Sequence, residues 1–163
     1  MKFWDTSAVV PLLVAEAGTR AMGQLLRDDP EMIVWWGTRV ECASALARYD
    51  REQGFGAAHL VRAGARLAAL ATRWSEIVPT ESLRSTAERL VRTHPLRAAD
   101  ALQLAAAWAA SDGQPDQLAF VSLDVRQREA ARREGFGVLP EAMPSPGMVR
   151  ERPARRARSR SAR

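Results

Sequence analysis

The chain has 163 residues, 47% of them hydrophobic; this is enough for one globular domain with its own core and too apolar for a disordered chain. No apolar run approaches the roughly 18 residues of a membrane span, and a lone cysteine, Cys42, excludes an internal disulfide and any Cys-rich zinc site. Of the 24 basic residues seven lie in 150–163 beside one of the 19 acids, so the remainder carries 17 basic and 18 acidic residues, a net −1, and is no basic platform for nucleic acid.

In chain order, Lys2-Phe3-Trp4 reads as a short strand ending at Asp5. Thr6 or Ser7 is expected to cap the helix that follows, with Pro11 tolerated near its first turn. A single lysine, a strand-like segment and an early acid do not make a signal peptide, so the expected location is the cytoplasm. Thr19–Arg27 reads as a second helix, stopped by Asp28-Asp29-Pro30. The continuous apolar run Met32 to Trp36 suits a strand covered on both faces, which would place both tryptophans in the core. A helix is expected from Gly37-Thr38 to about Glu52, then, after a glycine break, an Ala-, Arg- and Leu-rich helix over 57–74. Ile77-Val78-Pro79 reads as a strand, 82–93 as a helix, and His94-Pro95 as the start of an Ala-rich helix to about Ala110. Leu118–Leu123 reads as a strand, 125–134 as a helix stopped at Gly135, and 137–139 as a last strand.

Strands alternating with helices of this length imply βαβ crossovers, hence an α/β domain over 1–140 with a mainly parallel sheet and helices on both faces. After Pro140 the composition turns to Pro, then Arg, Ala and Ser with no apolar period, so 141–163 is expected to be a disordered tail.

Four acids stand out: Asp5, Glu41, Asp100 and Asp124 each lie at the end of a strand-like run or just inside a helix. In an open α/β sheet the carboxyl ends of the strands meet in one crevice where ligands bind. Carboxylates gathered there repel unless a cation holds them, and a hard ion such as Mg²⁺ takes oxygen ligands while keeping waters that a phosphate can displace. The register therefore points to metal-dependent phosphoryl chemistry. Each acid also has an ordinary reading. Asp5 suits a turn or cap, Thr38 to Glu41 has capping-box spacing, and Asp124 with Gln127 has it again. Asp100 sits on a largely apolar helical stripe, where a carboxylate needs a partner; Arg97 is one candidate. Ser122 shares a face with Asp124 on an extended chain and is placed to orient a water. His59 and His94 have no metal-ligand spacing and read as structural, and Cys42 reads as a small buried residue. There is no Gly-rich phosphate loop and no nucleophile elbow.

The opening Met-Lys-Phe-Trp-Asp5-Thr-Ser-Ala-Val-Val, Val-Glu41-Cys-Ala-Ser-Ala-Leu, His94-Pro-Leu-Arg-Ala-Ala-Asp100-Ala-Leu-Gln-Leu-Ala-Ala-Ala and Phe120-Val-Ser-Leu-Asp124-Val, taken in order, resemble PIN-domain ribonucleases, and most of all VapC-type toxins of bacterial toxin–antitoxin pairs. The resemblance spans about 1–140. It implies a PIN-like three-layer α/β/α sandwich and an endoribonuclease dependent on Mg²⁺, with Mn²⁺ as substitute. It also implies a homodimer, silenced by a small antitoxin that inserts Arg or Lys into the acidic site. On this chain the family's acids map to Asp5, Glu41, Asp100 and Asp124, and its small hydroxyl positions to Thr6 and Ser122. Asp5 and Asp100 are then expected to ligate the metal, with Glu41 and Asp124 holding a second ion or orienting water. Gln103 stands where many relatives have His, a change expected to be tolerated. The tail lies outside the family pattern; Arg155, Arg156, Arg158 and Arg160 are its candidate RNA contacts. The rival readings are a PIN nuclease acting on DNA or flaps and a non-catalytic RNA-binding module.

Overall fold

The computed structural model describes residues 1–144. Five strands, Lys2–Trp4 (β1), Met32–Trp35 (β2), Ser75–Ile77 (β3), Ala119–Val121 (β4) and Val138–Leu139 (β5), form one sheet in the order β3-β2-β1-β4-β5. Every pairing is parallel. The connecting helices are Thr6–Leu13 (α1), Thr19–Asp28 (α2), Thr38–Gln53 (α3), Ala57–Ala71 (α4), Glu81–Thr93 (α5), Ala98–Ala110 (α6) and Val125–Arg133 (α7).

The inner strands β1, β2 and β4 are largely apolar on both faces, as a sheet covered twice requires. Phe3, Ile33, Trp35 and Phe120 point to one side and pack with Leu83, Leu90, Leu104 and Ala131 of α5, α6 and α7. Their strand neighbours Trp4, Met32, Val34 and Val121 point to the other and pack with Val9, Met22, Leu46 and Leu67 of α1 to α4. The expected three-layer sandwich is the architecture observed.

The chain leaves β1 for β2 and β3 on one side, then returns past it to β4 and β5 on the other. Adjacent β1 and β4 therefore send their helices to opposite faces, α1 to one core and α7 to the other. A crevice opens between them at the strands' carboxyl ends, the place where ligands bind in open α/β sheets.

Several expected boundaries are corrected. Asp5 itself caps α1, accepting from the Ser7 N–H at 3.2 Å, so neither Thr6 nor Ser7 is the cap. Pro11 sits inside α1, two residues before its end. The third strand is Ser75–Ile77 rather than 77–79: it lies at the sheet edge, where burial on both faces is not demanded, and Pro79 cannot donate to a ladder. The Ala-rich helix starts at Ala98, because Arg97 is still extended at φ −79° and ψ 162° and forms its cap; His94, before Pro95, is extended too and ends α5. Helix α4 ends at Ala71, and β4 is confined to Ala119–Val121. Trp36 is 53% exposed, since β2 stops at Trp35, so only the first of the two tryptophans belongs to the core. The tail beyond Pro144, with Arg155, Arg156, Arg158 and Arg160, lies outside the described residues.

Candidate active site

Asp5, Glu41, Asp100 and Asp124 all line one cleft of about 690 Å³ at the β1/β4 crevice. Four separate segments bring them there. Asp5 follows β1, Asp124 caps α7 just beyond β4, and Glu41 and Asp100 stand in the first turns of α3 and α6. Gly37 sets the entry to α3: a Cβ there would stand 2.5 Å from the Trp35 indole nitrogen, so a side chain would force either the helix start or the buried Trp35 ring to shift.

Asp5 is buried, 2% exposed, and is gripped by donors. Its Oδ2 accepts from the Ser7 hydroxyl, the Ser7 N–H at 3.2 Å and the Ser122 hydroxyl at 3.0 Å. Its Oδ1 accepts from Gln127 Nε2 at 2.8 Å. Burial nevertheless pushes the Asp5 carboxyl up to about 6; the bonds from Ser7 and Ser122 oppose the shift, and the Glu41 charge adds to it. Ser7 also ties the two strand ends together, its Oγ accepting from the N–H groups of Leu123 at 2.8 Å and Asp124 at 3.2 Å.

Glu41 has no capping role. Gly37 is the cap position of α3, and Glu41 Oε2 instead accepts from Thr6 Oγ1 at 2.8 Å and Gln103 Nε2 at 3.0 Å. Gln103, 1% exposed, also donates to Thr6 Oγ1 at 2.7 Å and exchanges longer contacts with Thr38. One amide thus bridges α1, α3 and α6 beneath the cleft.

Asp100 and Asp124 keep their ordinary helix-start contacts while lining the cleft. Asp100 Oδ2 accepts from the Arg97 N–H at 3.2 Å, and Asp124 Oδ1 from the Gln127 N–H at 2.9 Å. Capping and facing a ligand are compatible, because each uses one carboxylate oxygen. Ser122 is fully buried; its hydroxyl braces Asp5 and accepts from the Asp124 N–H at 3.1 Å, so it is committed to the carboxylate rather than to open water.

The donor set suits a hard cation. It is all oxygen; the nearby Cys42 is buried in the core, which pushes its thiol up to about 12. Among the described residues no group of three acidic, His or Cys side chains is placed to hold a metal ion together. Mg²⁺ does not need one, being held through one or two carboxylates plus waters. Asp5 has four donors on about four lone-pair sites, so direct ligation requires one donor to turn away. Glu41, Asp100 and Asp124 each use a single oxygen in the hydrogen bonds above and keep the other for an ion or its waters. Asp5, buried and facing the Glu41 charge, makes no ion pair among the described residues.

No family model and no curated protein matches this chain. The fold has a solved counterpart. A chain in the structure entitled "Toxin-antitoxin complex from Klebsiella pneumoniae" superposes with a TM-score of 0.57 at 16% identity, over 78% of this chain and 89% of that one. At that identity the likeness is one of fold.

Two site residues escape sequence reasoning. Gln127 reads from sequence as the far end of a capping box, yet its side chain turns inward to Asp5. Ser7 reads as a cap candidate, yet it joins the ends of β1 and β4. The only sequence signal for either is a polar side chain two or three residues after an acid, which is too common to single out.

Proposed function

We propose that this chain is a metal-dependent endoribonuclease of the PIN type and the toxin of a toxin–antitoxin pair. The observation that carries the reading is the convergence of four carboxylates, from four segments far apart in sequence, on one cleft at the switch point of a parallel sheet. The fold shared with a chain of a toxin–antitoxin complex supports the toxin assignment, and the motif resemblance supports the ribonuclease.

Glu41, Asp100 and Asp124 would hold Mg²⁺ or its waters, with Asp5 at the base. When bound, the ion supplies a lowered pKa for water and neutralises charge on the phosphate. The chain's own residues do the positioning. Ser7, Ser122 and Gln127 fix the Asp5 carboxylate, while Thr6 and Gln103 fix Glu41. Rigid placement of this kind is worth most where hydrolysis asks for an aligned attacking water and leaving oxygen. A homodimer and a small antitoxin presenting Arg or Lys to the acids complete the proposal.

The test is cleavage of single-stranded RNA and single-stranded DNA by the purified full chain in Mg²⁺, in EDTA, and after Asp100→Asn. RNA should be cut in Mg²⁺ only, and Asp100→Asn should abolish cutting while the protein stays folded. Asp100 makes one bond, to a backbone N–H that the Asn oxygen also accepts. Cutting of DNA alone would move the assignment to the DNA-nuclease rival, and binding without cutting to the binding module.

A further inference from the structure

The cleft that collects the four acids is also lined by Arg48, Arg97 and Arg126. Each belongs to a segment that already carries an acid. Arg48 stands seven residues after Glu41 on α3, two turns along the same face. Arg97 precedes α6 by one residue, and Arg126 follows Asp124 by two. The arginines are exposed, whereas the acids are buried or half-buried. The cleft thus has an acidic floor and a basic rim.

A rim that served to neutralise the floor would show guanidinium–carboxylate contacts near 2.7–2.9 Å, as Arg89 makes with Glu134 at 2.7 Å elsewhere in the molecule. Among the described residues Arg48 and Arg97 make no ion pair, and Arg126 Nη2 stands 4.0 Å from Asp124 Oδ2. The three guanidiniums are left available to an anion. An acidic floor alone repels a polyanion, and a metal offsets that charge at one phosphate. A strand longer than one nucleotide needs cations further out, and the planar guanidinium fork suits phosphate oxygens.

We propose that Arg48, Arg97 and Arg126 form a phosphate clamp that grips an RNA strand on either side of the phosphate being cut. The proposal rests on the ribonuclease reading above. Sequence spacing does not announce this clamp, because the three arginines come from three segments, and Arg97 reads there as a partner for Asp100.

The test compares the full chain with the R48A/R97A/R126A triple variant. Binding of a fluorescein-labelled single-stranded oligoribonucleotide is titrated in EDTA at several salt concentrations, and cleavage is followed separately in Mg²⁺. With one phosphate per arginine, the plot of log affinity against log salt should flatten by about 2 in the variant, at ~0.7 per contact. KM for RNA should rise while kcat at saturating RNA changes little. The R48K/R97K/R126K variant should recover most of the slope, because Lys keeps the charge, and it separates loss of charge from loss of fold. Equal slopes for parent and alanine variant, with the parent cutting RNA, would overturn the clamp and leave the ribonuclease reading intact. A flattened slope in a protein that never cuts RNA would keep the clamp and overturn the catalytic reading.

Discussion

Gln127 donates its amide to Asp5 across 122 positions of sequence, at 2.8 Å, inside a pocket where both side chains are 2% exposed. This contact joins the first turn of α7 to the end of β1, and so ties together the two helices that diverge from the switch point. The amide oxygen of Gln127, Oε1, is buried without a partner among the described residues, so the residue is oriented for the carboxylate at the expense of its own acceptor.

Replacing Gln127 with Leu removes one of the donors on a buried carboxylate. At about pH 8, above the Asp5 pKa of about 6, the expected loss of stability is about 1–3 kcal/mol. At about pH 5 Asp5 is largely protonated and the loss should shrink. Urea unfolding at the two pH values reads the difference, and an equal cost at both would remove Gln127 from the support of Asp5. RNA cleavage at saturating substrate should fall as well.

The pH profile of stability carries two signatures. Asp5 is raised from 3.8 to about 6, so its protonated form is favoured on folding and stability declines as pH rises through that window, by up to about 3 kcal/mol. Glu134 is lowered to about 2 by its bonds from Arg89, with His94 and Trp108 also contributing. Its stabilisation is present above the ordinary carboxyl range and is lost as pH falls towards 2. Unfolding midpoints measured in EDTA should therefore peak at mildly acidic pH. Asp5→Asn should remove the decline on the neutral side and leave the acid side unchanged.

Mg²⁺ or Mn²⁺ should restore what Asp5 loses at neutral pH. A cation bound to the folded form alone adds about 2.7 kcal/mol at a hundredfold excess over its Kd, so the melting temperature should rise with metal and fall back in EDTA. Ca²⁺, larger and tolerant of irregular geometry, should raise the melting temperature yet suppress cleavage. Full activity in excess chelator would overturn the metal mechanism.

Expression of the chain alone should arrest bacterial growth, and co-expression of a small neighbouring gene whose product carries an Arg-containing segment should relieve the arrest. A guanidinium can bridge two carboxylates, and the cleft offers four. Harmless overexpression of folded, metal-loaded protein would count against the toxin role.

Truncation at Val149 removes seven Arg and one Glu. The last two described residues, Met143 and Pro144, line the cleft. Engagement of ~3 phosphates by the arm would add roughly 2 to the salt slope of RNA binding. Identical slopes with and without the arm would reduce it to a passive extension.

The layer order and the four acids were legible in the sequence because each rests on a local pattern. Apolar strand runs alternate with helix-length segments, and each acid lies at the end of a strand-like run or just inside a helix. Boundaries were less so. Extended backbone at Arg97 set the start of α6 at Ala98, and the edge position of β3 freed it from an apolar composition. Glu41 shows the limit most clearly: its spacing from Thr38 fits a capping box, yet the α3 start falls at Gly37 and the carboxylate turns to Thr6 and Gln103 instead.

By itself, then, the sequence determined the doubly covered parallel sheet and singled out the four acids that line the cleft, since residue periodicity and position at element ends are read along the chain. Only the tertiary structure decided which neutral side chains hold those acids. Ser7 and Ser122 lie 115 positions apart, and Gln103 meets Thr6 across 97. Such contacts depend on how β1 and β4 come to lie side by side, and hydrogen bonds formed through space leave no period in the chain that makes them.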